Sequence, residues 1–288
     1  MGNDREKNLK SVVDGSGFVF QLALLDSIQR TREKHYWDIL AHEHPWRNSS
    51  NGDGGYIDII LKRERLRLIL ECKRTSADAS WIFLNPNDKH DNIFPAKLLW
   101  ADISPSSNSF VLDVEKHTSE PAYNIISEWY DFLVKPASPE SEFCAVRGSG
   151  EKDNPFLERI CGKLLKAIDC LTVEEMEIAK KNKYPELRMY IPTIVTNAQL
   201  ELCHFDPEKI SLSDGLLRDG KFETVPFIRF RKSLTTVLSS HAKPANLLDA
   251  NKDKQRTILI INASSFCDVL EHMEVNLPPY ANAPWRYR

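Results

Sequence analysis

The chain is predicted to be an α/β protein with a mixed central sheet flanked by helices, and three observations predict it. Residues 54–74, GGYIDIILKRERLRLILECKR, read as two β-strands joined by a short polar turn. Residues 155–170, PFLERICGKLLKAIDC, carry the apolar period of a helix, and residues 190–196, YIPTIVT, follow as a strand. Further strand-like runs stand at 222–232 and 257–262. A strand–helix–strand order of this kind favours a mixed sheet over a stack of hairpins.

Taken in order, the first element is an amphipathic helix over 17–32, GFVFQLALLDSIQRTR. Phe18, Leu22, Leu25 and Ile28 fall near helical spacing, and Ser16 is available as a cap. Residues 37–43, WDILAHE, read as a strand, and HPWRNSSNGDGG after them as a turn-rich loop. Gly54 and Gly55 are expected to let the chain turn sharply into the next strand. That strand is YIDIIL, 56–61, and LRLIL, 66–70, pairs with it across the charged break at Lys62–Arg65. Side chains alternate along a strand, so Arg67, Ile69, Glu71 and Lys73 share one face, and Leu66, Leu68, Leu70 and Cys72 the other.

Residues 78–154 are rich in Pro, Asn and Ser, with apolar islands. AYNIISEWYDFLV fits a helix and FCAVRG a short strand. Trp81, Phe83, Phe94 and Trp100 lie in this stretch, and either stack on bases or bury the stretch itself. The helix from Pro155 has an apolar stripe of Leu157, Ile160, Leu164, Leu165 and Ile168 and is expected to run towards Lys181. FETVPFIRFRK and TILIIN read as strands, and SSFCDVLEHM as a closing helix capped by Ser264 or Ser265. The Pro-rich tail NLPPYANAPWRYR is either loose or docked on a neighbour.

The chemistry concentrates in the first strand pair. Asp58 lies in one strand and Glu71-Cys72-Lys73 ends the other, and antiparallel pairing can bring Asp58 opposite them. Two carboxylates and the backbone carbonyl of Cys72 are hard oxygen donors suited to Mg²⁺. Such an ion polarises a phosphate and acidifies a bound water, while Lys73 orients the water or offsets charge building in the transition state. Phosphodiester cleavage is the reaction this set suits. The same residues also fit a solvated charge pair at a strand end. Acid-x-Lys is a common pattern, repeated at Asp219-Gly220-Lys221, where no role is assigned. Glu43 is either a further metal ligand or an unpaired strand-end acid.

This arrangement resembles the PD-(D/E)xK, or restriction-endonuclease-like, nuclease superfamily. Asp58 matches its first acid, and Glu71 and Lys73 match its D/E-x-K; the proline before the first acid is replaced by Ile57. The resemblance extends loosely over about 1–80 and 155–200. It implies an α-β-β-β-α-β core, with 78–154 as an insertion in a single 1–288 domain and extra C-terminal strands. It also implies a Mg²⁺-dependent endodeoxyribonuclease for which Mn²⁺ substitutes. Gln21 takes the place of the polar residue that the superfamily's first core helix often puts near the site, though an ordinary exposed glutamine reads the same. Fold-level analogy extends the expectation to a bacterial DNA endonuclease, DNA being preferred over RNA, with a role in defence against phage. The alternative is a catalytically inactive nuclease-like module that binds nucleic acid or a partner protein.

Composition bounds these expectations. There are 38 Lys and Arg against 41 Asp and Glu, so a nucleic-acid partner needs a local basic surface rather than overall positive charge. Lys62, Arg63, Arg65, Arg67, Arg229, Arg231 and Lys232 are the candidates, or else outward faces of exposed strands. Six scattered cysteines without a CxxC pair suit a reducing cytoplasm. His42 and His44 form an HxH, but no Cys or His pair stands at zinc-finger spacing. No segment has the apolar length of a membrane span and no signal sequence opens the chain, so no membrane partner is expected. Walker A, GxGxxG and GxSxG motifs are absent. One acid set per chain points to a homodimer, or a complex with a partner protein, for double-strand cleavage.

Overall fold

A computed structural model describes residues 2–48, 51–86, 96–103, 123–130, 139–147, 156–182, 186–234 and 245–274. The chain runs α1 (Gly2–Gly15), α2 (Phe18–His35), β1 (Asp38–Arg47), β2 (Gly54–Arg63), β3 (Leu66–Lys73), β4 (Ser80–Pro86), β5 (Ala96–Ile103), β6 (Tyr123–Tyr130), β7 (Glu140–Ser141) and β8 (Cys144–Arg147). It continues through α3 (Phe156–Asn182), β9 (Glu186–Thr196), β10 (Gln199–Phe205), β11 (Lys221–Thr224), β12 (Phe227–Ser233), α4 (Leu247–Lys254), β13 (Gln255–Asn262) and α5 (Phe266–His272).

The larger sheet has the order β1-β2-β3-β9-β13-β12-β7, with the β5–β6 hairpin added beside β9. β1, β2 and β3 pair antiparallel, β9 lies parallel to β3, and β13 parallel to β9. A second sheet has the order β11-β10-β4-β8. The fold is therefore mixed α/β, with parallel and antiparallel strands in one sheet and helices beside it.

Two apolar clusters hold these layers together. Ile60, Ile69, Ile194 and Ile260 of the large sheet meet Leu164, Leu165 and Ile168 of α3 in one cluster, which Trp81, Phe83 and Leu202 of the second sheet close. Each such aliphatic side chain contributes about 1.5–3 kcal/mol by burial. On the opposite face, Ile59, Leu68, Leu70 and Cys72 pack with Leu24 and Ile28 of α2 and Phe266 and Leu270 of α5. The alternation expected along β3 is thus observed: Leu66, Leu68, Leu70 and Cys72 face α2, and Ile69 faces α3. Trp81 and Phe83 are fully buried, which assigns both to packing. Phe94 and the side chain of Trp100 lie outside the described residues.

The structure corrects several expectations. Residues 123–130 form strand β6, not a helix, because Tyr, Ile and Trp suit a pleated surface and β5 supplies an antiparallel partner. Residues 222–232 are two strands in different sheets. Pro226 has no N–H for a ladder, and the chain passes there from β11 beside β10 to β12 beside β13. The stripe on α2 is rotated from the expected one: Leu24, Ile28 and His35 are buried, whereas Phe18 and Leu22 are 56% and 62% exposed. Ser265 makes no side-chain cap on α5; the Asn262 side-chain Oδ1 accepts from the Ser264 N–H instead, capping the single turn that leads into the helix. Gly54 and Gly55 lie within β2 rather than at a turn, opposite Arg47 and Trp46. A Cβ on Gly54 would sit 3.0 Å from the Trp46 carbonyl oxygen, so close approach accounts for that glycine. The largely exposed helix α1 and strand β10 are additions to the elements expected from the sequence.

Candidate active site at the β1–β2–β3 strands

The site depends on one register. In the β2–β3 hairpin Ile59 pairs with Leu70 and Arg63 with Leu66. Glu64, with φ 51°, supplies the left-handed residue that the two-residue turn requires. One step further along this register, Asp58 stands opposite Glu71. In β1, His42 pairs with Ile59 and His44 with Ile57, which puts Glu43 opposite Asp58 from the other side. Three acids from three adjacent strands thus form a row. The row also marks an irregularity: Glu43 has φ 49°, and Ile57 and Ile60 both reach the cluster under α3, so strict alternation is interrupted at Asp58.

Side-chain contacts tie the row to Lys73. The Lys73 Nζ is 2.6 Å from the Glu71 Oε1, with Glu71 nearly buried and Lys73 about one-third exposed. The Cys72 backbone N–H donates to the Asp58 Oδ2 over 2.6 Å. Burial first, and then the Glu71 charge, push the Asp58 carboxyl up to about 6, against the opposing pull of the Cys72 N–H and Lys73; Glu43 adds a smaller push. The buried Cys72 thiol is raised well above its ordinary value by desolvation and then by the Asp58 and Glu71 charges. One Glu43 carboxylate oxygen is buried without a hydrogen-bond partner. Among the described residues, Lys73 is the cation that offsets this negative charge.

The donor set fits a hard cation. Asp58 and Glu71 offer carboxylate oxygens and Cys72 a main-chain carbonyl, and Mg²⁺ is commonly held by one or two carboxylates with water and substrate phosphate completing the shell. Among the described residues no group of three or more His, Cys, Asp or Glu side chains is gathered tightly enough to hold a metal by itself. Glu43 shares the row without closing such a group. Gln21 is not joined to it either. It is part-buried on α2, whose buried side packs on the sheet face opposite Ile69, and its side chain makes no hydrogen bond among the described residues.

Most of the basic surface expected from the sequence is spent internally. Arg67 is buried and paired with Glu175, Arg63 donates to the Met273 carbonyl and lies over the Trp37 ring, Arg231 pairs with Glu140 and Glu142, and Lys232 with Glu158. Arg229 is buried, and Glu140 lies close enough to offset part of the lowering that burial imposes on it. Their alternation with apolar residues signals buried ion pairs as readily as an outward face. Two other cations stand at the Gly54–Gly55 end of β2. Arg47 is exposed opposite Gly54, and Lys163 of α3 reaches over Gly55. Neither stands in a recognisable local pattern, because the strand and the helix that carry them meet only in the folded chain. His44 of the HxH pairs with Glu174, and His42 is exposed. All six cysteines are free, and among the described residues no single helix is long and apolar enough to cross a membrane. Comparison with protein-family models, with curated proteins and with solved structures finds no match for the chain.

Proposed function

We propose that the protein is a metal-dependent nuclease that hydrolyses phosphodiester bonds, with Asp58, Glu71 and Lys73 as its catalytic set. One observation carries the reading: Asp58 is seated on the Cys72 N–H beside the Glu71–Lys73 pair, so three groups from two strands meet around one main-chain segment. The order α2-β1-β2-β3-α3-β9, with β9 parallel to β3, supports a restriction-endonuclease-like core. Two carboxylates that crowd each other, with Lys73 paired to Glu71, are in keeping with a Mg²⁺ or Mn²⁺ site.

Asp58 and Glu71, with the Cys72 carbonyl, would hold the ion. When bound, it supplies neutralisation of the scissile phosphate and Lewis-acid polarisation of its oxygen. Lys73 is held by Glu71 at the exposed rim of the set, where its ammonium orients an attacking water or offsets charge on the phosphate. The Cys72 N–H fixes the Asp58 carboxylate, limiting the rotamers that oxygen can take. We place the activity on DNA in a bacterial cytoplasm, with two copies or a partner protein for double-strand cuts and a role in phage defence. Six free cysteines are in keeping with a reducing compartment.

The rival reading, a nuclease-like module that binds without cutting, is favoured by the absence of a tight three-ligand group among the described residues. Incubation of the purified protein with plasmid, linear and single-stranded DNA and with RNA, in Mg²⁺, Mn²⁺ or EDTA, separates the two. Cleavage that needs metal and vanishes in Asp58→Asn supports the nuclease. Binding without cleavage in every metal supports the module.

A further inference from the structure

We propose that Arg47, Lys163 and the side-chain-free strip Gly54–Gly55 between them form the seat for a nucleic-acid backbone leading into the acid set. The inference rests on the nuclease reading for its direction, but its own chemistry is that of a phosphodiester chain.

Gly55 has no Cβ, and one built there would lie 3.4 Å from the Lys163 Cε, 3.6 Å from its Nζ and 3.3 Å from the Trp46 indole nitrogen. The Lys163 amine therefore lies directly over bare backbone. Arg47 pairs with Gly54 across the β1–β2 ladder, and its side chain passes 3.9 Å from the Cβ position of that glycine. Both cations are exposed, and neither has an ion-pair or hydrogen-bond partner among the described residues. The neighbouring lysine on the same helix, Lys166, is different: Asp53 neutralises it at 3.1 Å. The local acid is thus taken up, and the two unpaired cations remain beside the strip.

The strip is aimed at the acids. Trp46, opposite Gly55, packs in the cluster beneath α3, and Glu71 shares its face of β3 with Ile69 of that same cluster. Lys163 and the Glu71 carboxylate accordingly lie on one face of the sheet. Gly55 precedes Asp58 by three residues, about 10 Å at about 3.3 Å per residue. That is the axial rise of about three nucleotides in one strand of a duplex, at about 3.4 Å each. A phosphate at Asp58 and Glu71 would therefore be followed, a few nucleotides along, by phosphates at Lys163 and Arg47. Arg74, exposed just past Lys73, continues the β2–β3 register to a place across from Gly55, so it adds positive charge at the same end of the sheet as the strip. Contacts of this type set register and affinity and carry no base sequence.

The test uses full-length Asp58→Asn protein, which removes cleavage, and fluorescence anisotropy with labelled duplex DNA, single-stranded DNA and RNA across a salt series. Lys163→Ala and Arg47→Ala should each flatten the slope of log K against log salt by about one, and the double variant by about two. Lys10→Ala on exposed α1 should leave the slope unchanged. In the cleaving protein the same substitutions should raise KM with kcat preserved. Whichever polymer loses affinity identifies the backbone that the seat takes. An unchanged slope in both single variants overturns the proposal even if the protein cleaves DNA. Failure of the Asp58→Asn protein to bind any of the three polymers overturns it too. Binding that weakens as described, with no cleavage by the unmutated protein in any metal, keeps the seat and removes the nuclease reading.

Discussion

The Cys72 backbone N–H donates to the Asp58 Oδ2 over 2.6 Å, joining the first acid to the residue between Glu71 and Lys73. The contact turns an acid in one strand and an acid-x-Lys in the next into a single site. It also sets up a conflict. The N–H lowers the Asp58 carboxyl, burial and Glu71 raise it more, and the outcome is a value of about 6.

Removing any member of the set should stop cleavage if the set is catalytic. Asp58→Asn, Glu71→Gln and Lys73→Ala are each expected to lower kcat by about 10²–10⁴, with far-ultraviolet circular dichroism unchanged. Turnover within a few-fold of the unmutated protein for any of the three would remove that residue from the mechanism.

Asp58 carries a stability cost in the metal-free protein. Raising an acid from 3.8 to about 6 disfavours the folded state at neutral pH, where the group is charged. The cost is present above pH 6 and fades as pH falls towards the ordinary carboxylate value. Asp58→Asn keeps an oxygen to accept from Cys72 and loses the charge. It should stabilise the protein in EDTA at pH 7.5 by about 1–3 kcal/mol, and the gain should shrink by pH 4.5. Urea melts at both pH values check this; equal stabilities at pH 7.5 would contradict it.

His35 sets a second pH dependence, of opposite sign. It is 1% exposed, its Nδ1 accepts from the Trp37 N–H over 3.0 Å, and Thr31 Oγ1 lies 3.2 Å from its Nε2. Desolvation lowers its pKa, so the folded state prefers the neutral ring. Its contribution is therefore complete above the unfolded value of about 6.5 and is lost as pH falls below it. His35→Asn can still accept from Trp37 and should flatten the fall in stability between pH 6.5 and 5. A slope identical to that of the unmutated protein would mean that other groups control it.

A buried ion cluster lies at the other end of β3. The Glu175 carboxylate takes Arg188 at 2.9 Å, Arg67 at 3.2 Å and the Tyr190 hydroxyl at 2.6 Å. Desolvation and Glu175 together raise the Tyr190 hydroxyl well above its ordinary value, so it stays a donor. Glu175→Gln leaves two guanidinium groups under α3 with reduced compensation, and should cost about 3–5 kcal/mol. Chemical denaturation measures it; a loss under 1 kcal/mol would show that the cluster rearranges easily.

The strand pair at 54–74, the α3 helix and the strands at 190–196 and 257–262 were legible because their patterns are local. Period-two alternation and the apolar stripe of α3 each declare themselves within a dozen residues. Asp58, Glu71 and Lys73 were legible for the same reason, since one hairpin carries all three and its turn sets the register. Residues 123–130 were misjudged because a short apolar island reads alike as helix or strand until a partner strand is present to complete its hydrogen bonds.

Chain distance hid the rest. Arg67 looks like a surface cation until α3 brings Glu175 against it. Glu43 joins the acid row only through the irregular β1–β2 register, and Gly55 looks like a turn residue until Lys163 covers it. The sequence by itself determined the mixed α/β class, helices α2 and α3, and the nearness of Asp58, Glu71 and Lys73 within the β2–β3 hairpin. Tertiary structure alone decided which charges are neutralised and which cations come together at the Gly54–Gly55 end of β2. Pairing energies fall steeply with separation and rise with burial, and neither quantity is written in a linear order of residues.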